Sequence, residues 1–197
     1  MPSSRDGQLT VEKTPSYFIK SSIPRKVYEM SPRTKLILVV RDPVTRAISD
    51  YAQLASRWGK DTKSFDRLAF LNDTKIVNAS WAVIKIGLYY KHLARWRRYF
   101  SDKQIHLVSG EKLVSQPAAE LAKIEKYLGL EPYIHEKHFY FNHTKGFPCL
   151  KKKARCLHSS KGRPHPNIDT EVIERLRDFY KPFNYKFYAM TGIDFGW

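Results

Sequence analysis

The chain predicts an α/β fold, a central parallel sheet flanked by helices, and three observations carry that expectation. The run Leu36-Ile37-Leu38-Val39-Val40 is apolar without interruption, as in a strand buried on both faces. A second apolar run, Ile105 to Val108, stops at Ser109-Gly110. Stretches of helical periodicity separate and follow the two. Strands that alternate with helices imply parallel pairing, with helices on the sheet faces.

The 197 residues fit one domain, 1–197, at roughly 100–200 residues per domain. Residues 1–11 read as a polar tail. A strand is expected from Thr34 to Val40, then a turn at Arg41-Asp42-Pro43. Asp42 suits a helix N-cap and Pro43 the first helical position. Apolar residues at 44, 47, 48, 51, 54, 55 and 58 then trace a helical stripe, while Thr45, Ser49 and Gln53 mark a polar, uncharged face. A second long helix is expected from about Ala82 to Phe100. Its apolar face is Ile86, Tyr89, Tyr90, Leu93, Trp96 and Phe100; Lys85, Lys91, Arg95, Arg97 and Arg98 fall elsewhere. Ala118 to Leu128 reads as a helix stopped at Gly129. Phe139-Tyr140-Phe141 reads as a short strand leading into a hairpin. Thr170 to Tyr180 and Tyr185 to Met190 read as two closing helices.

Composition excludes several classes. Hydrophobic residues at 42% and aromatics at 14% are enough to support a packed core. No apolar run approaches the ~18–20 residues that span a bilayer, and the first twenty residues hold no apolar segment of a signal peptide. Lys+Arg 35 against Asp+Glu 19 gives a formal charge of +16, which favours a polyanionic partner: nucleic acid, anionic membrane or acidic polysaccharide. From Lys145 to His165 there are seven Lys or Arg (Lys145, Lys151, Lys152, Lys153, Arg155, Lys161, Arg163) and no acid. This block is either an anion surface or a solvated hairpin tip. No recognition-helix, zinc-finger or RNP-type pattern supports nucleic acid, and no marker of oligomeric state is present.

Cys149 and Cys156 are the two cysteines, with six residues between them. They are two thiols, half of a metal site that lacks further ligands at tight spacing, or a bridge. A bridge would contribute on the order of 2–3 kcal/mol. Three Asn-x-Ser/Thr sequons, at Asn72, Asn78 and Asn142, point with the cysteine pair to a secretory compartment. His158 and His165 are anion contacts or packed side chains, and no metal is expected.

Ligands of open α/β sheets sit beyond the carboxyl ends of the strands. Arg41 stands at that end of the first strand, before a helix N-terminus whose N–H groups favour an anion. Ser49 lies two turns further on. A guanidinium fork and a hydroxyl so placed can grip one phosphate; the alternative is that Arg41 pairs with a carboxylate and Ser49 packs.

Arg41-Asp42-Pro43-Val44-Thr45-Arg46-Ala47-Ile48-Ser49-Asp50-Tyr51 resembles the 3'-phosphate-binding motif of Golgi sulfotransferases. Glu12-Lys13-Thr14-Pro15-Ser16-Tyr17, Phe139-Tyr140-Phe141-Asn142, Thr144-Lys145-Gly146-Phe147, Lys161-Gly162-Arg163-Pro164-His165-Pro166 and the ending Thr191-Gly192-Ile193-Asp194-Phe195-Gly196-Trp197 resemble the heparan sulfate glucosamine 3-O-sulfotransferases, as does the Cys149–Cys156 pair. The resemblance implies a P-loop-NTPase-like sulfotransferase fold in the Golgi lumen. It implies transfer of a sulfuryl group from 3'-phosphoadenosine 5'-phosphosulfate (PAPS) to the 3-hydroxyl of glucosamine in heparan sulfate. Arg41 and Ser49 would bind the 3'-phosphate, and Lys161, Gly162, Arg163, Pro164 and His165 would wrap the nucleotide. Lys13, Thr14, Pro15, Ser16, Gln53, Trp81 and Ala82 would contact the sugar chain. Lys13 would also neutralise charge developing on the transferring group; without the resemblance it reads as a surface lysine. Cys149 and Cys156 would form a disulfide.

The family's glycine-rich 5'-phosphosulfate loop and its glutamate base lie upstream of the Lys-Thr-Pro motif. Residues 1–11 contain neither, and Glu12 belongs to that motif itself. The expectation is therefore an N-terminally truncated fold with an uncovered apolar face or edge, weak PAPS binding and negligible turnover. The alternative is a catalytically inactive remnant that still binds heparan sulfate.

Overall fold

A computed structural model describes all residues except 1–4, 6, 59–61, 72–73, 153–155, 159–161 and 163–164. In chain order the elements are α1 (Ile23–Met30), β1 (Leu36–Val40), α2 (Pro43–Trp58), α3 (Phe65–Ala69), α4 (Ala82–Ile86), α5 (Tyr89–Trp96), β2 (Ile105–Ser109), α6 (Gly110–Ser115), α7 (Pro117–Leu128), β3 (Phe139–Asn142), β4 (Phe147–Leu150) and α8 (Thr170–Thr191).

β1 and β2 pair in parallel, Leu36 opposite Ile105 through Val40 opposite Ser109, so both carboxyl ends emerge at one edge. β3 and β4 form an antiparallel hairpin. One core packs Val44, Ala47, Ile48 and Tyr51 of α2 against Phe65, Ile84, Leu88, Leu176 and Tyr180. The second joins Val40 to Tyr89, Leu93, Phe187 and Tyr188, with Phe18 and Trp197 packed against it. α8 thereby touches both cores.

The expected strand is apolar throughout but not buried throughout. Ile37 and Val39 are 40% and 54% exposed, while Val40 is fully covered. Helices α5 and α8 cover the other face of β1, and α7 packs on β2, which leaves Ile37 and Val39 uncovered.

The long helix expected over 82–100 is two helices, broken at Gly87-Leu88. The Tyr180 hydroxyl donates to the Ile84 carbonyl at 2.7 Å, and the Gly87 N–H turns back to the same carbonyl. That carbonyl is the acceptor a continuous helix would offer to residue 88. A Cβ at Gly87 would lie 2.8 Å from the Tyr180 hydroxyl and 2.9 Å from Pro43 Cβ, so this glycine permits the close approach.

The two closing helices are one. α8 runs through Pro182. Proline in a helix interior costs ~3 kcal/mol, but Tyr180, Phe187 and Tyr188 on either side are buried. At about 1.5–3 kcal/mol for each large apolar side chain, their burial outweighs the lost bond. α1, α3 and α6 escaped the periodicity because each is only two turns or shorter.

Candidate functional site

The carboxyl ends of β1 and β2 carry Arg41-Asp42 and Ser109-Gly110-Glu111. Asp42 is the N-cap of α2: its carboxylate accepts from Val44 N–H at 3.0 Å and from the Thr45 hydroxyl at 2.7 Å. The Asp42 carboxylate thus takes one backbone donor of the helix start, Val44 N–H. Beside it stands the side chain of Arg41. It is half-buried and pairs with no carboxylate among the described residues. The alternative of a structural ion pair at Arg41 therefore has no partner there.

Two groups fix the backbone around Arg41. The Glu111 carboxylate accepts from Asp42 N–H at 2.7 Å and from the Ser109 hydroxyl at 3.1 Å, strapping the two strand ends together. The Tyr89 hydroxyl donates to the Arg41 carbonyl at 2.8 Å. Gly110 lets the start of α6 close in: a Cβ there would sit 3.0 Å from the Val40 carbonyl and 3.3 Å from Arg41 Cβ. Sequence reasoning missed both fixing residues. Tyr89 reads as an ordinary core position, and the one signal for Glu111 was its place directly after a strand.

Ser49 lies ~9 Å along the α2 axis from its first residue. It is half-buried, and its hydroxyl bonds no described residue. Burial, with a smaller contribution from the Arg41 charge, holds the His165 imidazole below the usual histidine value. Gly162 has φ +69°, and a Cβ on it would lie 2.5 Å from Phe147 Cε1 and 3.1 Å from the Lys145 carbonyl. Gly162 is thus seated against the β3–β4 turn. Lys161, Arg163 and Pro164 lie outside the described residues, as do Lys153, Arg155 and Asn72.

The Lys13–Ser16 segment is a turn. The Tyr17 N–H donates to the Thr14 carbonyl at 3.3 Å, and the Thr14 hydroxyl donates to Glu12. Glu12 thus builds the turn. The chain is then pinned to α5: Phe18 packs on Tyr89 and His92, and its carbonyl accepts from Trp96 Nε1 at 3.1 Å. Lys13 is exposed and has no carboxylate partner among the described residues. Trp81 and Ala82 begin α4, which is held to α2 by Arg46: its guanidinium reaches Asp50 at 2.5 Å and the Val83 carbonyl. Trp81 stands edge-on to Phe65 at 5.6 Å, and Phe65 to Tyr51 of α2 at 5.4 Å. Gln53 is half-exposed on α2.

Cys149 and Cys156 are disulfide-bonded, with Cα atoms 4.8 Å apart. The Asn78 and Asn142 amides are both used by the fold. Asn78 donates to the Leu68 carbonyl and accepts from Trp81 N–H, and Asn142 accepts from Lys145 N–H at 3.0 Å. Among the described residues no three His, Cys, Asp or Glu converge as a metal site, and no helix is long and apolar enough to cross a membrane.

A parallel strand pair with helices packed on it, and Arg41 at its carboxyl edge, defines an α/β domain. Residues 5–193 match the Sulfotransferase domain, and the chain belongs to that family. The fold is that of a solved sulfotransferase from Alicyclobacillus acidocaldarius: TM-score 0.66 at 17% identity, over 91% of this chain and 63% of that one. In sequence the chain is similar, along its whole length, to heparan sulfate glucosamine 3-O-sulfotransferases. It is 55% identical to isoform 3B1 of Homo sapiens, covering 52% of that protein. It is 54% identical to isoform 6 of Mus musculus, covering 59%, and 43% identical to isoform 5 of Mus musculus, covering 59%. The chain spans about half the length of the curated relatives it matches.

Proposed function

We propose that these residues form the nucleotide 3'-phosphate half of the donor site, and one wall of the acceptor site, of a heparan sulfate glucosamine 3-O-sulfotransferase. The donor is PAPS. In the reaction the sulfur–oxygen bond to the 5'-phosphate breaks and a sulfur–oxygen bond to the sugar 3-oxygen forms. The hydroxyl proton passes to a base, and 3'-phosphoadenosine 5'-phosphate (PAP) departs. Arg41 supplies the charge-assisted fork for the 3'-phosphate, Ser49 a hydroxyl donor, and the segment 161–165 the cover. Lys13 sits on the acceptor side as a free ammonium, suited to charge on the transferring group. Thr14, Pro15, Ser16, Gln53, Trp81 and Ala82 form the sugar-facing wall. The disulfide fits the oxidising lumen of the secretory pathway, where Golgi sulfotransferases act.

The observation that carries this reading is the half-buried side chain of Arg41 at the carboxyl end of β1, with no carboxylate partner among the described residues. The experiment is retention on immobilised PAP compared with retention on heparin. Arg41→Ala abolishes the first and spares the second. Retention of PAP by Arg41→Ala, or its absence in the unaltered chain, overturns the donor-site assignment.

A further inference from the structure

We infer that the exposed face of α5, extended by Lys186 of α8, is a second binding surface for a sulfated and carboxylated polysaccharide, separate from the crevice at the strand ends. The inference rests on the proposed reading that the acceptor is such a polymer. From Thr74 to Ser101 the sequence contains six Lys or Arg (Lys75, Lys85, Lys91, Arg95, Arg97, Arg98) and no acid. The fold sorts them. Tyr89, His92, Leu93 and Trp96 turn one side of α5 inward. Lys91 and Arg95, at i and i+4, lie on the other side of α5 and Arg98 follows just past its end, with Lys91 and Arg98 exposed.

Two cations of this stretch are neutralised among the described residues. Lys75 and Arg97 pair with Glu171 and Asp102. Lys85, Lys91, Arg95, Arg98 and Lys186 have no carboxylate partner among the described residues. Two of these cations converge. Lys91 Nζ lies 5.8 Å and Lys186 Nζ 5.6 Å from the Tyr90 ring centroid, and that ring is stacked on Phe183 at 5.6 Å. Two ammonium groups on one ring with no acid between them repel each other, and the ring offsets only part of that cost. A polymer with repeating anions removes it, because each bound anion meets several cations. The row is also continuous with the acceptor wall. Arg95 Nη1 donates to the Ile19 carbonyl at 3.2 Å, and exposed Lys20 follows, on the segment that carries Lys13. A chain long enough to leave the crevice past Lys13 would run on along α5.

The test compares two triple variants of the full chain. Lys91→Ala/Arg98→Ala/Lys186→Ala removes the face. Lys26→Ala/Lys103→Ala/Lys137→Ala removes three exposed lysines elsewhere and controls for net charge. Binding to unfractionated heparin and to a heparin tetrasaccharide is titrated across a salt series. The face variant is expected to lose about tenfold in affinity for unfractionated heparin, with a salt slope shallower by about two to three. It should bind the tetrasaccharide and PAP as the unaltered chain does, while the control loses less than about twofold. The inference is overturned if both triples lose equally, if the tetrasaccharide loses as much as heparin, or if a DNA duplex competes better than heparin. Failure of the unaltered chain to retain PAP would count against the donor site and leave this surface standing.

Discussion

The Tyr89 hydroxyl donates to the Arg41 carbonyl at 2.8 Å, and the same ring packs against Phe18 with centroids 6.4 Å apart. One side chain therefore ties the segment that bears Lys13–Ser16 to the strand end that bears Arg41. Burial pushes the hydroxyl up to about 12, although the Arg46 charge and the bond to Arg41 pull the other way, so it stays a donor throughout the physiological range. Tyr89→Phe keeps the ring and frees the carbonyl. The expected cost is about 1 kcal/mol of stability, with a severalfold weaker grip on PAP and unchanged heparin retention. Calorimetric titration with PAP checks it; equal affinity would mean that the bond serves the core alone.

Gly162 tests the proposed nucleotide cover. At φ +69° a side chain is strained, and its Cβ would meet Phe147 Cε1 at 2.5 Å. Gly162→Ala is expected to push this position away from Phe147 and the Lys145 carbonyl. PAP affinity should fall about tenfold or more, while the melting temperature moves by only a few degrees because the site is remote from both cores. A large loss of stability with normal PAP affinity in the folded fraction would contradict that placement.

The parts of the fold legible in the sequence were those with local causes. Asp42-Pro43 announces the start of α2 through cap chemistry alone, and Gly129, in the left-handed region at φ 77°, ends α7 as its position suggests. The illegible parts have distant causes. The break at Gly87 depends on Tyr180, whose hydroxyl reaches a carbonyl 96 residues away in sequence. The continuity of α8 through Pro182 depends on two cores at once. Apolar content could not tell that Ile37 and Val39 face outward, since the side of β1 left uncovered is decided by where the helices pack. In the site, Arg41 was legible as a residue at a strand end. His165, 124 positions away, was grouped with it only through the resemblance, since no local pattern links residues so far apart.

The Gly87 contact makes a stability prediction independent of ligand. Gly87→Ala places a methyl 2.8–2.9 Å from the Tyr180 hydroxyl, its ring and Pro43 Cβ, all on packed elements that cannot yield cheaply. Overpacking of this kind costs about 1–3 kcal/mol. Chemical denaturation should show that loss, and pairing the change with Tyr180→Phe should restore part of it by removing the nearest atom. A neutral Gly87→Ala would mean that α4, α2 and α8 are loosely packed at this crossing.

Acid should destabilise the fold through His92 before the carboxylates titrate. The residue is 5% exposed; its Nε2 lies 3.3 Å from the Lys85 carbonyl, and its Nδ1 is buried with no bonding partner among the described residues. Burial holds the imidazole below the usual 6.5, and the charges of Arg95, Arg46 and Lys85 push the same way, against the Lys85 carbonyl bond. A histidine that resists protonation in the folded state gains protons first in the unfolded chain. Stability is then full above pH 6.5 and falls as the pH drops below it. His106, lowered chiefly by burial, and His165, lowered by burial and Arg41, slope the same way. Melting temperatures measured from pH 7.5 down to about 5.5 should therefore decline, and His92→Gln, which keeps a donor for Lys85 but cannot titrate, should flatten the decline without removing it. An equal slope in the variant would place the acid sensitivity in His106 and His165, at the sheet and beside Arg41, and not in the aromatic seat under Phe18.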